Sequence, residues 1–326
     1  MTTIRAFFRL IALLAFAALF ASDLPAQDYP NRPIRFVVGF PPGGSVDLLA
    51  RAVANQATKT LGQPIVVENR AGASTNAASD SVAKERPDGY TVLVASDSIA
   101  INASLFKNLS FNPITSFAPV TLAITSPQIL VARPNFGVKT VDEYIAKVKA
   151  GAGSVNVGLT GRGTIGHLTS EVLNLKLGGL KVTYVPYSGG APAVRDLVGG
   201  HIDALYVTLP AVTGVVRGGS IVAVAVSSPK RSKAFPDVPT FAETVAPEVA
   251  VDSWQGFLVP AGTPEPIVAR LNRELVAALQ SEAVAKPLAD LGFEIVAGTP
   301  EAFAETIKAD VKRFGDIVRA ANISID

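Results

Sequence analysis

The chain of 326 residues is 48% hydrophobic and carries 29 basic and 27 acidic side chains, which gives a formal net charge of +2. Such a balance creates no broad electrostatic field for nucleic acid or an anionic membrane. Without any cysteine, the chain forms neither a disulfide nor a thioether lipid anchor, and its length favours two domains of moderate size.

The first residues are typical of an export signal. Arg5 and Arg9 form a short basic region. The apolar run that follows, Leu10 to Ala21, is too short to span a bilayer. We therefore expect residues 1–26 to be a signal peptide that is cleaved near Ala26, and the mature protein to be periplasmic. The alternative for this segment is a membrane anchor, which no later apolar stretch supports.

Apolar runs that alternate with helical patterns predict an α/β fold. Residues 33–39 predict a buried strand, and a helix from about Val46 to Leu61 follows it after a Pro/Gly-rich loop. Residues 65–69 and 91–95 predict the next two strands. This alternation is typical of a doubly wound sheet, in which ligands bind beyond the carboxyl ends of the strands.

The middle and the end of the chain continue the alternation. Thr140 and Glu143 fit a capping box at the start of a helix, and Pro192 fits the first position of another. Thr263-Pro264 and Thr299-Pro300 are expected to open the last two long helices, each as a cap followed by a proline.

Two extended segments, residues 117–133 and 253–260, are candidates for crossings between two lobes. If both cross, residues 27–124 and 254–326 form one lobe, and residues 125–253 form the other. Each lobe is then a doubly wound sheet, the two crossover strands form a hinge, and a cleft separates the lobes.

The loop from Phe40 to Asp47 is the first candidate binding loop. Gly43 and Gly44 allow the backbone to approach a ligand closely, and the helix that follows presents free N–H groups. We interpret the loop as an anion site without a charged side chain. It lacks the Gly-Lys-Ser/Thr ending of a P-loop. The alternative is a tight turn in which Ser45 or Asp47 caps the helix.

A second glycine-rich loop, Gly161 to Gly166, matches the G-x-G-x-x-G pattern between a strand and a helix. A dinucleotide site needs an acid after the next strand, where this chain has Tyr184 to Tyr187, so we keep only the anion-binding helix N-terminus of that motif. Thr160 and Thr164 are expected to add hydroxyl donors. His167 is expected to pack or hydrogen-bond rather than to catalyse.

A third loop, residues 186–192, also places small residues before a helix, and we expect the three loops to converge in one cleft. With two histidines, no cysteine and no catalytic or metal-binding motif, the sequence predicts no catalysis, no cofactor and no metal site. The alternative function is a secreted hydrolase that uses Ser45 or Ser188 with His167.

Short sequence blocks in a fixed order run through the whole mature chain. They are Tyr29-Pro30, Arg32-Pro33-Ile34, Phe40 to Ser45 with Asp47, Leu61 to Pro64, Val67 to Arg70, Pro87 to Thr91, Phe117 to Val120, Gly163-Thr164 with His167-Leu168, Val185 to Tyr187, Arg231-Ser232, Pro236 to Thr240 and Pro260 to Pro264. Together they resemble the tripartite tricarboxylate transporter substrate-binding proteins, the Bug-type periplasmic receptors.

The resemblance implies a two-lobe periplasmic binding protein of type II that closes on a small organic carboxylate, for uptake or sensing. The ligand is then a di- or tricarboxylate or an aromatic acid, gripped across the cleft by the loops Phe40–Asp47 and Thr160–His167. The implied partners are the membrane subunits of a tripartite transporter or a sensor protein. By loop and by position, the implied ligand-binding residues are Phe40, Gly43, Gly44, Ser45, Asp47, Asn76, Ser96, Ala100, Thr160, Arg162, Gly163, Thr164, His167, Tyr187, Gly189 and Thr208.

Three positions depart from the family pattern, and one of them is Ser74-Thr75, which replaces a more glycine-rich stretch before Asn76. Val207-Thr208 stands where many relatives carry Asp-Asn before Leu-Pro, which argues against recognition of an ammonium group. Arg162 occupies a position that is often small or polar. Its two candidate roles are recognition of a second anionic group on the ligand and that of a solvated surface arginine.

Overall fold

The two ends of the chain build one lobe and its middle builds the other. The computed structural model describes residues 29–151, 153–245, 251–320 and 323, so the predicted signal peptide lies outside the described residues. The first lobe begins with β1 (Ile34–Val38), α1 (Ser45–Leu61), β2 (Ile65–Asn69), α2 (Asn76–Ala83), β3 (Thr91–Ser96) and α3 (Ser98–Leu105), and the long strand β4 (Phe117–Ala132) then leads into the second lobe.

The second lobe and the return to the first complete the fold. The second lobe contains α4 (Val141–Gly151), β5 (Asn156–Leu159), α5 (Ile165–Lys176), β6 (Thr183–Pro186), α6 (Gly190–Val198), β7 (Ala204–Thr208), α7 (Thr213–Arg217), β8 (Val222–Val226) and α8 (Phe241–Thr244). The first lobe is completed by β9 (Asp252–Pro260), α9 (Glu265–Gln280), α10 (Glu282–Asp290), β10 (Glu294–Ile295) and α11 (Pro300–Ala320). Within the described ranges, no helix combines the length and the apolar composition required to cross a membrane.

One continuous path of strands runs through both lobes in the order β2-β1-β3-β9-β4-β7-β5-β6, with β8 and β10 also paired to β4. The pairs of β1 with β2 and β3, and of β5 with β6 and β7, are parallel. Strand β9 is antiparallel to both β3 and β4. The predicted α/β fold with two lobes is confirmed, and β4 is the strand that the two lobes share.

The hinge lies where β4 changes its partners. Residues 117–127 of β4 pair with β9, whereas residues 128–132 pair with β7 and β8. Gln128 N donates to Ser227 Oγ at 2.9 Å, Ser227 N donates back to Gln128 O at 2.8 Å, and Val251 N donates to Ser227 O. The chain therefore leaves the first lobe and returns to it at neighbouring points. The numerical lobe limits stay a prediction.

Alternate residues of the central strands fill apolar cores on both faces of each sheet. In the first lobe Phe36 packs in one core and Val37 in the other. In the second lobe Leu130 packs in one core and Ile129 in the other. All four side chains are at most 1% exposed. Helices cover both faces of these sheets, which explains why the strands read as continuous apolar runs.

Two of the predicted helix starts are wrong by one or two residues. Helix α6 begins at Gly190, so Pro192 is its third residue; the N–H of that position also has no partner within the helix, and proline is tolerated there. Pro264 is itself the cap of α9, and Thr263 Oγ1 donates to Pro260 O instead of capping.

The two other predicted starts are confirmed. Glu143 N donates to Thr140 Oγ1 at 3.2 Å and Thr140 N donates to Glu143 Oε2 at 3.1 Å, which forms the capping box. Pro300 opens α11, and Ala302 N donates to Thr299 Oγ1.

Gly256 in β9 allows α11 to pack against the strand, and we expect Gly256→Ala to destabilise the protein. A β-carbon at this position would lie 2.5 Å from Phe303 Cζ and 2.7 Å from the backbone oxygen of Thr121. The expected loss in the free energy of unfolding is about 1–3 kcal/mol, measured by urea denaturation. The matched control is Gly214→Ala in α7, where a β-carbon meets nothing within 4 Å and stability should stay unchanged or rise. A Gly256→Ala protein as stable as the control would show that the strand tolerates the clash.

Candidate binding cleft

A cavity with about 460 Å³ of empty space lies between the lobes. It is bounded by residues of α1, by the loop before α5, and by strands β4 and β9 below. The residues expected from the sequence that line it are Phe40, Gly44, Ser45, Ser96, Thr160, Thr164 and Thr208. The structure therefore brings together residues from both lobes in one place.

The N-terminus of α1 forms the first-lobe wall. Gly43 has a left-handed backbone (φ 85°), and Gly44 follows as an extended cap. The first bond along the helix is from Leu48 N to Gly44 O at 3.0 Å. Consequently the N–H groups of the first helical turn, beginning at Ser45, have no acceptor within the helix and can serve an anion.

Asp47 holds this wall in shape rather than lining the cavity. Its carboxylate accepts hydrogen bonds from Gly43 N (3.0 Å), Arg51 Nε (2.9 Å) and Asn69 Nδ2 (2.9 Å), and the side chain is buried. Burial alone would raise the pKa of Asp47, but the hydrogen bonds from Arg51, Gly43 and Asn69 outweigh it and hold the pKa below its usual value. Asp47 is thus an ionised clamp on the loop, and the structure places it outside the cavity lining.

The N-terminus of α5 repeats the same backbone on the second lobe. Gly163 is left-handed (φ 74°), Thr164 is the extended cap, and Leu168 N donates to Thr164 O at 3.1 Å. His167 stands where Asp47 does in the first lobe: its Nδ1 accepts from Gly163 N at 3.3 Å. Its ring also packs edge-on against Tyr184. The prediction that His167 hydrogen-bonds and packs agrees with these contacts.

The hydroxyl groups of the second-lobe loop are directed into the loop itself. Thr160 Oγ1 donates to Thr164 Oγ1 at 3.5 Å, and Thr164 Oγ1 donates to Gly161 O at 3.0 Å. Thr164 is therefore engaged within its own loop, whereas the 3.5 Å contact is too long to commit the Thr160 hydroxyl, and the role of both threonines as ligand donors stays a prediction. The backbone N–H groups after Thr164 remain the donors of this wall.

Ser45 offers a hydroxyl proton to the cavity. Thr208 Oγ1 and Gln255 Nε2 both donate to Ser45 Oγ, each at 2.9 Å. Since an amide nitrogen can only donate and both bonds use Ser45 Oγ as the acceptor, its own proton is left for a ligand.

The two lobes touch each other around the cavity. Besides the Ser45–Thr208 bond, Ser74 Oγ donates to Arg162 O at 2.7 Å across the cleft. An apolar cluster joins Ala100 and Leu105 of α3 to Leu168 of α5. The structure therefore has the lobes in a closed arrangement.

The remaining expected residues surround the cavity without lining it. The Arg162 side chain is exposed at the rim, so contact of this arginine with a ligand stays a prediction. Asn76 accepts from Asn102, and Tyr187 donates to Asp196. The others outside the lining are Gly43 and Gly163 at the left-handed turns, Ala100 in the apolar cluster, and Gly189, whose added β-carbon would lie 2.7 Å from Pro41 Cδ.

Sequence reasoning missed the floor of the cavity. Polar side chains that interrupt otherwise apolar strands are the signal that could have located it. Val46, Ile165 and Gly190 lie in the three expected loops but were not singled out. The lining residues outside those loops that were not expected are Asp97, Ser98, Gln128, Ala211, Ser253 and Gln255.

Asp97 is a buried acid in this floor. Its Oδ2 accepts from Ser253 Oγ at 2.5 Å and from Trp254 N at 3.3 Å. Burial is the main cause that raises the pKa of Asp97 to about 7; the Ser253 hydrogen bond acts in the opposite direction, and nearby Asp310 adds to the increase. Trp254 Nε1 links the two acids by donating to Asp310 at 2.7 Å.

Comparisons with known proteins identify one receptor family. The model of the tripartite tricarboxylate transporter family receptor matches residues 49–323. Protein BugT of Bordetella pertussis is 38% identical over 316 residues, which are 95% of this chain and 97% of the relative.

Solved structures are similar over nearly their whole length. The periplasmic binding protein BugD has a TM-score of 0.88 at 33% identity, with 91% of this chain and 99% of BugD covered. MatC from Rhodopseudomonas palustris with bound malate has a TM-score of 0.85 at 34% identity, with 89% and 100% covered. A second R. palustris protein, Rpa4515 with adipate, has a TM-score of 0.88 at 32% identity, with 91% and 99% covered.

Asp97→Asn should change how stability depends on pH. Because its pKa is about 7 in the folded protein and near 4 when unfolded, the folded state binds more protons between these values. Asp97 therefore makes the ligand-free protein lose stability as the pH rises from about 4 to about 7. An asparagine side chain cannot ionise, so the variant should gain a few kcal/mol relative to the native protein at pH 8 and little at pH 4.

Urea denaturation at pH 5, 6, 7 and 8 measures this difference, and Asp237→Asn on the exposed surface is the matched control. Parallel stability curves for Asp97→Asn and the native chain would mean that Asp97 is ionised throughout.

Proposed function

Because the chain belongs to the tripartite tricarboxylate transporter receptor family, we propose that it captures a small organic carboxylate between its two lobes in the periplasm. The observation that carries this proposal is the pair of helix N-termini, α1 and α5, on opposite walls of one cavity. Each presents unpaired backbone N–H groups and the positive end of a helix dipole, which together form an anion site.

The cavity neutralises a carboxylate without a cationic side chain. Of the described residues that line it, none is lysine or arginine, and the one ionisable group is Asp97. Recognition then depends on backbone N–H groups and on the hydroxyl of Ser45. Hydrogen bonds to a charged group are worth about 1.5–3 kcal/mol each, so a few such donors account for useful affinity.

Aliphatic dicarboxylates are the ligand class that the relatives favour. Malate and adipate, bound to the two R. palustris proteins, differ in length by two carbons but both carry a carboxylate at each end. Tricarboxylates and aromatic acids are the further candidates to screen.

The periplasmic location of this chain rests on its basic and apolar N-terminus, with predicted cleavage near Ala26, and on its likeness to the periplasmic protein BugD. The family name points to the membrane subunits of a tripartite transporter as partners for uptake. A sensor protein is the alternative partner, since either a sensor or the membrane subunits can recognise the closed form of the two lobes.

A secreted hydrolase is the competing function, and the contacts of its candidate residues do not favour it. Ser45 bonds to Thr208 and Gln255, while His167 Nδ1 accepts from Gly163. Within the described residues, no hydrogen bond joins a serine hydroxyl to His167, so the nucleophile and base of such an enzyme are not paired here.

Ser45→Ala should weaken carboxylate binding by roughly ten- to a hundredfold, because it removes a hydroxyl that donates to the anion. Isothermal calorimetry with the dicarboxylate that gives the largest thermal shift measures the change. Ser220→Ala, on the exposed surface, is the matched control and should bind normally. Unchanged affinity in Ser45→Ala would place the carboxylate elsewhere.

The bound ligand should be recovered chemically unchanged. After overnight incubation of the protein with an excess of that ligand, proton NMR should show only the starting compound. Product that accumulates in the native protein and disappears in His167→Ala would support the hydrolase and contradict the receptor.

A further inference from the structure

Two glutamine side chains in the floor of the cleft have hydrogen-bonding atoms without partners. Gln128 lies on β4 at the hinge and Gln255 lies on β9; both are 1% exposed, and both line the cavity. The unpaired atoms are Gln128 Nε2, a donor, and Gln255 Oε1, an acceptor. Buried polar atoms of native proteins almost always find partners, so these two lining side chains are candidates for hydrogen bonds to a ligand.

The environment holds these amides in place. Gln128 sits in β4 opposite Thr208, and its backbone is bonded on both sides to Ser227. Gln255 Nε2 donates to Ser45 Oγ, and Oε1 of the same amide has no partner. The floor therefore offers one hydrogen-bond donor and one acceptor, both neutral, next to the hydroxyl that faces the carboxylate.

We propose that this floor recognises a hydroxyl group on the carbon skeleton of the ligand, so that hydroxycarboxylates are the preferred class. A hydroxyl both donates and accepts, so it can donate to Gln255 Oε1 or accept from Gln128 Nε2 and fits the hydrogen-bonding capacity of either atom. The inference rests on the proposed function, since the carboxylate must first be held by the helix N-termini.

Other substituents satisfy only part of the floor. An oxo group has no proton for Gln255 Oε1, and a methylene group leaves both amide atoms unpaired. An ammonium group offers no acceptor to Gln128 Nε2. The acid that would neutralise an ammonium is also engaged, since Asp97 Oδ2 already accepts from Ser253 and Trp254.

Matched ligands that differ by one substituent test the proposal on the native protein. The probes are succinate, either enantiomer of malate, and aspartate, together with glutarate and 2-hydroxyglutarate, each titrated by calorimetry. A hydroxyl that makes a neutral hydrogen bond with the floor should give roughly tenfold tighter binding for one enantiomer of the hydroxy acid than for its parent. Aspartate should bind no more tightly than succinate.

Gln128→Met tests the contribution of the amide donor in the floor, because methionine keeps the length of the side chain and lacks the amide. The malate preference over succinate should fall to about twofold or less, whatever change in overall affinity the substitution brings to both ligands. Gln280→Met, at the exposed end of α9, is the matched control and should keep the full preference. Cooperative thermal unfolding establishes that each variant is folded.

Gln255→Met serves as a second variant. This substitution also removes the hydrogen bond to Ser45, which should weaken the binding of malate and of succinate alike. The ratio of the two affinities therefore still reports on recognition of the malate hydroxyl. Equal binding of malate and succinate by the native protein, or a preference that survives in both variants, overturns the inference alone. If no carboxylate binds the native protein, the proposed function fails and this inference fails with it.

Discussion

A hydrogen bond from the N–H of a left-handed glycine to the side chain four residues later shapes both walls of the cleft. In the first lobe Gly43 donates to Asp47, and in the second Gly163 donates to His167. The bond turns the glycine N–H into the loop and starts a helix whose first N–H groups are unpaired. An ionised acid and an imidazole perform the same task, so the constraint is the geometry of the turn rather than a charge.

The shared strand β4 determines what those two walls enclose. Because its partners change at Gln128, the floor of the cavity lies at the hinge itself. In the closed arrangement Thr208 reaches Ser45 and Ser74 reaches Arg162, while polar atoms in the floor stay unpaired. A ligand that supplies those partners stabilises the closed state over an open one, and its differential affinity for the two states is what drives closure.

The sequence alone was sufficient to locate the two walls of the cleft but not its floor. Glycines before a capped helix are local signals, so the loops at Gly43 and Gly163 could be located without a structure. Gln128 and Gln255 are marked only as polar residues in apolar strands, and their place in one cavity depends on how β4 and β9 pair across a long stretch of sequence. The same limit applies to Asp47: its position suggested a ligand contact, whereas its bonds to Arg51 and Asn69 make it a clamp.

The electrostatics of the cleft suit a receptor that must release what it binds. A guanidinium in the lining would bind a carboxylate through two parallel hydrogen bonds and lengthen the residence time of the ligand. Here the lining offers helix N-termini and neutral side chains, and its single acid, Asp97, is kept largely protonated below pH 7 by burial. A carboxylate in the cavity disfavours the charged form of Asp97 further. The cleft therefore opposes an anion less than the presence of an acid suggests, and the attraction that it offers comes from oriented dipoles, which opening of the lobes can separate.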